Sequence, residues 1–212
     1  PNGAQDVLGS GWGAGDVMYA DLNGDGQISR GNKTLADHGD LKKIGNSTPR
    51  YNFGLNLDAA WKGFDLKLFF QGTMKRDYMP DSGSTMFWGA VGYWQTNFFK
   101  QHLDYFRGES TTNPLGPNLG GYYPRPLEDG RNRNPQTRYL QNAAYCRLKN
   151  VTLGYTLPKS LTEKFCVNNL RFFVSAENLF TITSLADTFD PETVGIGNWD
   201  GCTYPLSKTC LL

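Results

Sequence analysis

Between Tyr51 and Gln71 the chain alternates apolar and polar side chains through two segments of about ten residues, broken only at Lys62 and Gly63. Side chains of an extended strand point alternately to opposite faces, so the pattern confines this stretch to two β-strands and a tight turn, a β-hairpin. Tyr51, Phe53, Leu55, Leu57, Ala59 and Trp61 share one face of the first strand, and Phe64, Leu66, Leu68 and Phe70 share one face of the second. Asn52, Gly54, Asn56 and Asp58, then Asp65, Lys67, Phe69 and Gln71, lie on the opposite faces. A two-residue turn makes opposed residue numbers sum to 125, which sets Trp61 against Phe64, Leu57 against Leu68 and Asp58 against Lys67. Apolar then meets apolar and opposite charges meet. About ten residues rising roughly 3.3 Å each at a tilt of about 40° cover about 25 Å, the height of the apolar band of an outer-membrane barrel. Tyr51 and Trp61 then fall where interfacial aromatics belong. A half-buried hairpin of a soluble sandwich satisfies the same alternation.

Composition removes several alternatives. The formal charge is +1, with Lys and Arg scattered apart from Arg131, Arg133 and Arg138, so no nucleic-acid surface is expected. Aromatic content of 14% and 25 glycines suit β-structure with long irregular loops. There is no apolar run near the roughly 18 residues that a transmembrane helix needs, a test that barrel strands do not have to pass. The chain begins at Pro1 without an initiator Met or signal peptide and is expected to be part of a longer or processed polypeptide. Cys146, Cys166, Cys202 and Cys210 are too widely spaced for a CxxC metal site, and Cys202 with Cys210 is the pair an oxidising compartment would join.

Residues 1–50 are rich in Gly, Asn and Asp and read as loop; 73–140 are punctuated by Pro80, Pro114, Pro117, Pro124, Pro126 and Pro135 and read as a second loop. Within it, Trp94, Phe98, Phe99, Leu103 and Phe106 predict a short amphipathic helix from about Tyr93 to Arg107. Strand alternation returns over Ala144 to Leu157, with a change of parity that predicts a β-bulge near Lys149 and Asn150. A short connection with one helical turn at Ser160 to Phe165 leads to a further strand from Leu170 to about Thr181. Long connections thus alternate with short ones, which in an up-and-down sheet puts all long loops at one end, the asymmetry of bacterial outer-membrane barrels. The expected layout is an extracellular loop with a DxNGDG motif at 1–50, a barrel hairpin at 51–72, and a long extracellular loop with a short helix at 73–140. Two barrel strands joined by a short periplasmic turn follow at 141–182, then an extracellular loop and the start of a truncated last strand at 183–212.

Several stretches, in their order and spacing, resemble the C-terminal part of the SusC/RagA family of TonB-dependent outer-membrane transporters. They include Gly15-Asp16-Val17 leading to Asp21-Leu22-Asn23-Gly24-Asp25-Gly26, Gly45-Asn46 with Pro49, and Lys62-Gly63-Phe64-Asp65-Leu66 with Phe69-Phe70-Gln71-Gly72. Tyr123-Pro124-Arg125, Arg147-Leu148-Lys149-Asn150-Val151-Thr152-Leu153-Gly154-Tyr155, Glu177-Asn178-Leu179-Phe180-Thr181, Asp190-Pro191-Glu192 and Tyr204-Pro205-Leu206 complete the set. The resemblance implies an all-β fold of antiparallel transmembrane strands, the C-terminal fragment of a barrel of about 22 strands, with long extracellular loops. It further implies import of glycans or oligopeptides, with a SusD-like surface lipoprotein, the TonB complex and outer-membrane lipid as partners. Cys146 stands where the family usually has a larger apolar residue, and the chain stops at Leu212 without a final strand ending in an aromatic, so closure by this chain alone is not expected.

Asp21, Asn23 and Asp25 followed by Gly26 have the spacing of a calcium loop, with Gln27 and Ser29 supplying the next oxygens. Asn32 at position twelve cannot give the usual bidentate carboxylate, a role left to Asp37 or Asp40; a Gly-rich turn closed by Asn and Asp side chains explains the same residues. Trp88, Tyr93, Trp94, Tyr122 and Tyr123 present rings that stack on sugars or pack a loop core, and Arg125 suits a carboxylate. Enzymatic readings fail: His38 and His102 are the only histidines and neither neighbours a Ser. Glu177 falls on the channel-side parity, where a charge needs no catalytic role beside Asp190 or Glu192. Two functions stay open, a TonB-dependent importer and a secreted calcium-dependent glycan-binding module.

Overall fold

Lys62 and Gly63 both adopt left-handed backbone, with φ of 47° and 90°, the geometry of a two-residue type I′ turn. The turn joins β1 (Arg50–Trp61) to β2 (Phe64–Lys75) in the register expected, with Trp61 opposite Phe64, Leu57 opposite Leu68 and Asp58 opposite Lys67. The computed structural model describes residues 3–89, 91–92, 96, 98–109, 112–195 and 203–211. They divide into two compact units.

The first unit comprises Asn46–Tyr78, Gln141–Thr193 and Tyr204–Leu212. Its further strands are β3 (Asp77–Tyr78), β4 (Gln141–Asn142), β5 (Tyr145–Thr156), β6 (Arg171–Thr183) and β7 (Thr209–Leu211). A five-stranded antiparallel sheet runs in the order β1-β2-β5-β6-β7, and β3 pairs with β4. The bulge lies where the parity change puts it: Phe69 pairs with Asn150 and Phe70 with Leu148, leaving Lys149 as the extra residue. Against β6 the ladder shifts again at this level, where Asn178 takes a left-handed φ of 53°. The bulge returns Leu148 to the face of Val151. Between β5 and β6, an α-helical turn (Lys159–Thr162) continues into a 3-10 turn (Glu163–Phe165).

The second unit comprises Pro1–Gly45, Met79–Leu140 and Val194–Thr203. Its only α-helical turn among the described residues is Thr85–Trp88; 3-10 turns occur at Asp6–Leu8, Lys100–Leu103 and Arg131–Arg133. The helix expected from Tyr93 to Arg107 begins on Tyr93 and Trp94, which lie outside the described residues. Over its remainder the structure differs: the 3-10 turn gives way to isolated bridges, Tyr105 with Tyr123 and Arg107 with Asn118. The backbone N–H of Phe106 donates to Tyr123 O and that of Arg107 to Asn118 O, so tertiary pairing overrides the helical spacing.

Two glycines allow close approaches in the sheet. At Gly72 a Cβ would fall 2.2 Å from the Tyr145 carbonyl oxygen and 2.7 Å from the Phe53 ring. At Gly154 it would meet the mobile ends of Arg171 and Asp65, whose ion pair crosses above it. Backbone does not yield as a side-chain tip does, so Gly72→Val is expected to destabilise by about 1–3 kcal/mol and Gly154→Ala by clearly less. Urea unfolding of both variants, in the complete protein refolded into detergent, measures the difference.

Candidate functional site

Thr85–Trp88 sets two large rings side by side, Phe87 and Trp88, with centroids 4.8 Å apart. Tyr139 is fully buried against both, at 5.9 Å from Phe87 and 5.0 Å from Trp88, and stacks parallel to Tyr123 at 6.5 Å. Its hydroxyl donates to the Tyr122 carbonyl at 2.8 Å, and Trp88 Nε1 donates to the Asp81 carbonyl at 2.9 Å. Burial, opposed by the Arg138 hydrogen bond, pushes the Tyr139 hydroxyl up to about 12. Burial also raises that of Tyr123. These edge-to-face contacts are the core of the unit.

Trp88, Tyr123 and Arg125, three of the residues singled out in the sequence, line one cavity of about 190 Å³ together with Phe98, His102, Tyr105 and Arg133. Tyr122 is not on its wall; it packs edge-on against Tyr123 and Tyr139. Tyr93 and Trp94 lie outside the described residues. Trp88 and Tyr123 are buried, so their rings serve the core first and offer the cavity only part of their surface. Arg125 is committed to Asp16, donating from Nε at 3.1 Å and Nη2 at 2.6 Å. Asp16 is buried; burial alone would raise its carboxyl, but hydrogen bonds from Arg125, Asn132 and the Gly13 N–H hold it below the usual carboxylate range. Arg131 is paired with Asp129, and buried Arg133 donates from Nη2 to the Glu128 carbonyl at 2.8 Å. The result is a small aromatic-walled cavity with guanidinium groups in its lining. A larger cavity of about 950 Å³ in the same unit is lined by Tyr19, Arg30, Lys42, Arg138 and Tyr139 among others.

His102 closes this core as a staple. Its Nδ1 accepts the Phe99 N–H at 3.0 Å, which leaves Nε2 to donate to the Phe87 carbonyl at 3.0 Å. The neutral Nε2–H tautomer is therefore required, and both nitrogens are spent on backbone.

The DxNGDG loop turns its oxygens inward to backbone. Asp21 accepts the N–H groups of Gly24 at 2.6 Å and Gly26 at 2.9 Å, Asn23 accepts that of Asp25, and Asp25 accepts that of Gln27 at 2.7 Å. Asp40 accepts from Leu22 and from Ser29, and Asp37 accepts from Asn32. Among the described residues no three His, Cys, Asp or Glu side chains converge as metal ligands. These bonds close the turn on its own backbone, and a carboxylate oxygen that accepts one N–H keeps a further lone pair. Cys146, Cys166 and Cys210 are free thiols, and Cys202 lies outside the described residues.

A second polar centre was not anticipated from the sequence. In the sheet unit, Arg147 of β5 contacts Asp190 and Glu192, and Lys149 contacts Glu192. The available signal was an Arg near the start of a strand on the polar parity, followed at a distance by the acidic Asp190-Pro191-Glu192.

No family model matches the sequence. Among curated proteins it is similar to TonB-dependent receptor P3 of Formosa agariphila, 32% identical over 178 residues, covering 84% of this chain and 15% of that protein. TonB-dependent receptor P26 of the same organism is 24% identical over 207 residues, covering 93% of this chain and 19% of that protein. Among solved structures, the RagAB peptide transporter matches at 30% identity and a TM-score of 0.54, over 77% of this chain and 16% of that one. The RagAB peptide importer in its open-open state matches at 27% identity and a TM-score of 0.57, over 91% of this chain and 19% of that one. The chain thus spans under a fifth of the length of each of these relatives.

Burial lowers the pKa of His102 below its ordinary 6.5, outweighing the backbone bonds to Phe87 and Met86. A depressed folded-state pKa means that its stabilisation is complete above 6.5 and is lost as pH falls through the folded value. The protection factor of the Phe99 amide, its exchange relative to the intrinsic rate at the same pH, is expected to be high at neutral pH and to fall as pH drops below 6.5; in His102→Leu that pH dependence should disappear.

Proposed function

The chain belongs to the SusC/RagA family of TonB-dependent receptors, and from that premise we propose that its sheet is part of the wall of an outer-membrane β-barrel that imports a nutrient. The carrying observation is one uninterrupted apolar face. Trp61, Phe64, Tyr155 and Phe172 form a row across four strands; Ala59, Leu66, Leu153 and Val174 form the next. Leu57, Leu68, Val151, Ala176 and Cys210 follow, then Leu55, Phe70, Leu148 and Phe180. Much of this face is exposed, with Trp61 at 69% and Phe172 at 61%, while Leu148 and Ala176 within it are buried. Apolar patches of this extent mark a surface meant for partner or membrane.

The opposite face carries rows such as Asp58, Lys67, Thr152 and Ser175, or Gln71, Arg147 and Thr181. Apolar-out and polar-in is the pattern of a membrane barrel around a water-filled or plugged lumen. Strands of 12 residues, rising roughly 3.3 Å each and tilted about 40°, reach about 30 Å, enough for the hydrocarbon band and its aromatic margins. The turns at 62–63 and 157–170 would face the periplasm, and the long segments 1–45 and 79–140 the exterior. Import would draw on the TonB complex through parts beyond this chain, and a SusD-like lipoprotein would complete the assembly. Glycan or oligopeptide is the expected cargo, and the peptide transport named for the RagAB relatives supports the second. No catalytic role is assigned, since both ring nitrogens of His102 are committed to backbone.

Replacing Leu55 or Leu68 by Arg in the complete protein should cost about 2–4 kcal/mol and reduce the heat-modifiable, assembled form in outer membranes. Asn56→Arg, on the polar face, should assemble like the parent. Normal assembly of both leucine variants would remove the wall assignment.

A further inference from the structure

The segment 184–193 does not extend away from the end of β6 but folds back over the polar face of the sheet. Besides the Ser184 hydroxyl, which donates to the Asn142 carbonyl, and the Leu206 N–H, which donates to Asp190, three attachments hold it there. Phe189 is buried with its ring edge-on to Tyr78, centroids 5.4 Å apart. Arg76 Nη1 donates to the Pro191 carbonyl at 3.5 Å. The third attachment is ionic and buried. Arg147, with 5% of its side chain exposed, donates from Nη2 to Asp190 at 2.9 Å and from Nε to the Thr181 hydroxyl at 2.6 Å. Its Nη1 lies 2.9 Å from Glu192 Oε1, an ion-pair contact not aligned as a hydrogen bond. Lys149, displaced by the bulge, donates to both oxygens of Glu192 at 3.3 and 3.0 Å. Asp190 accepts the Glu192 N–H at 2.9 Å, so the two carboxylates are presented from one short turn.

Two cations from the strand meet two anions from the returning segment, and the charges balance. Removing either side would leave uncompensated charge in a largely water-excluded place, the situation that makes broken buried pairs costly. The pairing is therefore conditional on the segment lying where it does, and the segment's place is conditional on Arg147.

We propose that residues 184–193 are a strap folded inward across the channel side of the wall, and that Arg147 is the positioning residue that latches it. This rests on the barrel-wall reading, which fixes the polar face as the channel side. The strap then presents its own backbone and Asp187 to the passage and covers the strand side chains beneath it, narrowing the lumen at that level.

The test is proteinase K digestion of outer membranes carrying the complete protein, with cuts between 184 and 193 mapped by mass spectrometry. In Arg147→Met, and in the milder double variant Asp190→Asn with Glu192→Gln, the cutting rate is expected to rise about tenfold or more through local release. Arg147→Lys, which keeps the charge, should retain part of the protection. Heat-modifiable mobility reports assembly in each case. Parental cutting rates in the assembled variants would overturn the strap; so would loss of assembly in both the Arg147→Met and the double variant, since the cluster would then serve wall folding. Normal assembly of both Leu55→Arg and Leu68→Arg, scored in parallel, would instead remove the wall reading, and with it the channel-side placement of the strap.

Discussion

One register organises the sheet. Because the Lys62-Gly63 turn is two residues long and left-handed at both positions, every partner of β1 on β2 is determined, and a slip of one residue would move each side chain to the other face. The apolar rows then continue through β5 and β6 without a polar interruption. They do so only because the bulge at Lys149 corrects the phase of β5, keeping Leu148 beside Phe70 and Phe180. An apolar face of this extent marks a surface meant for a partner or a membrane, which agrees with the outer-membrane localisation of the receptor family to which the chain belongs.

The polar face has the converse difficulty. Charges along a strand are tolerable beside water but must be matched where chain covers them. Asp65 meets Arg171 above Gly154, and Arg147 with Lys149 meets Asp190 with Glu192 under the returning segment. The bulge that keeps the apolar rows in phase also frees Lys149 from the ladder, so one backbone irregularity serves both faces.

Legibility in the sequence followed the range of the interactions. The hairpin register, the bulge and the strand at 171–183 were readable because period-two alternation and turn chemistry are local signals. The helix expected within 93–107 was not found in its described part: ring spacing alone cannot distinguish a helix from a bridge-paired loop when the partners, Asn118 and Tyr123, lie more than ten residues away. Arg125 looked available for a ligand because Asp16, which it clasps, is 109 residues distant in sequence. The DxNGDG motif reads two ways for a different reason, since the same side-chain oxygens that close the turn on its N–H groups also have lone pairs to offer a cation.

The loop unit shows how a segment with little regular structure keeps one conformation. Helix or sheet would satisfy its backbone automatically; here side chains do so one at a time. Asp40 takes the N–H groups of Leu22 and Ser29, Asn132 takes that of Val17, and Arg138 gathers the carbonyls of Gly121 and Tyr122. Each such group is fixed in number and direction, so exchange of one residue strands a specific backbone partner. His102 is the extreme case, holding one acceptor and one donor of the chain at once across residues 87–99. Substitutions within such a unit are therefore expected to be tolerated mainly at positions outside this polar scaffold, where a side chain answers to no backbone group.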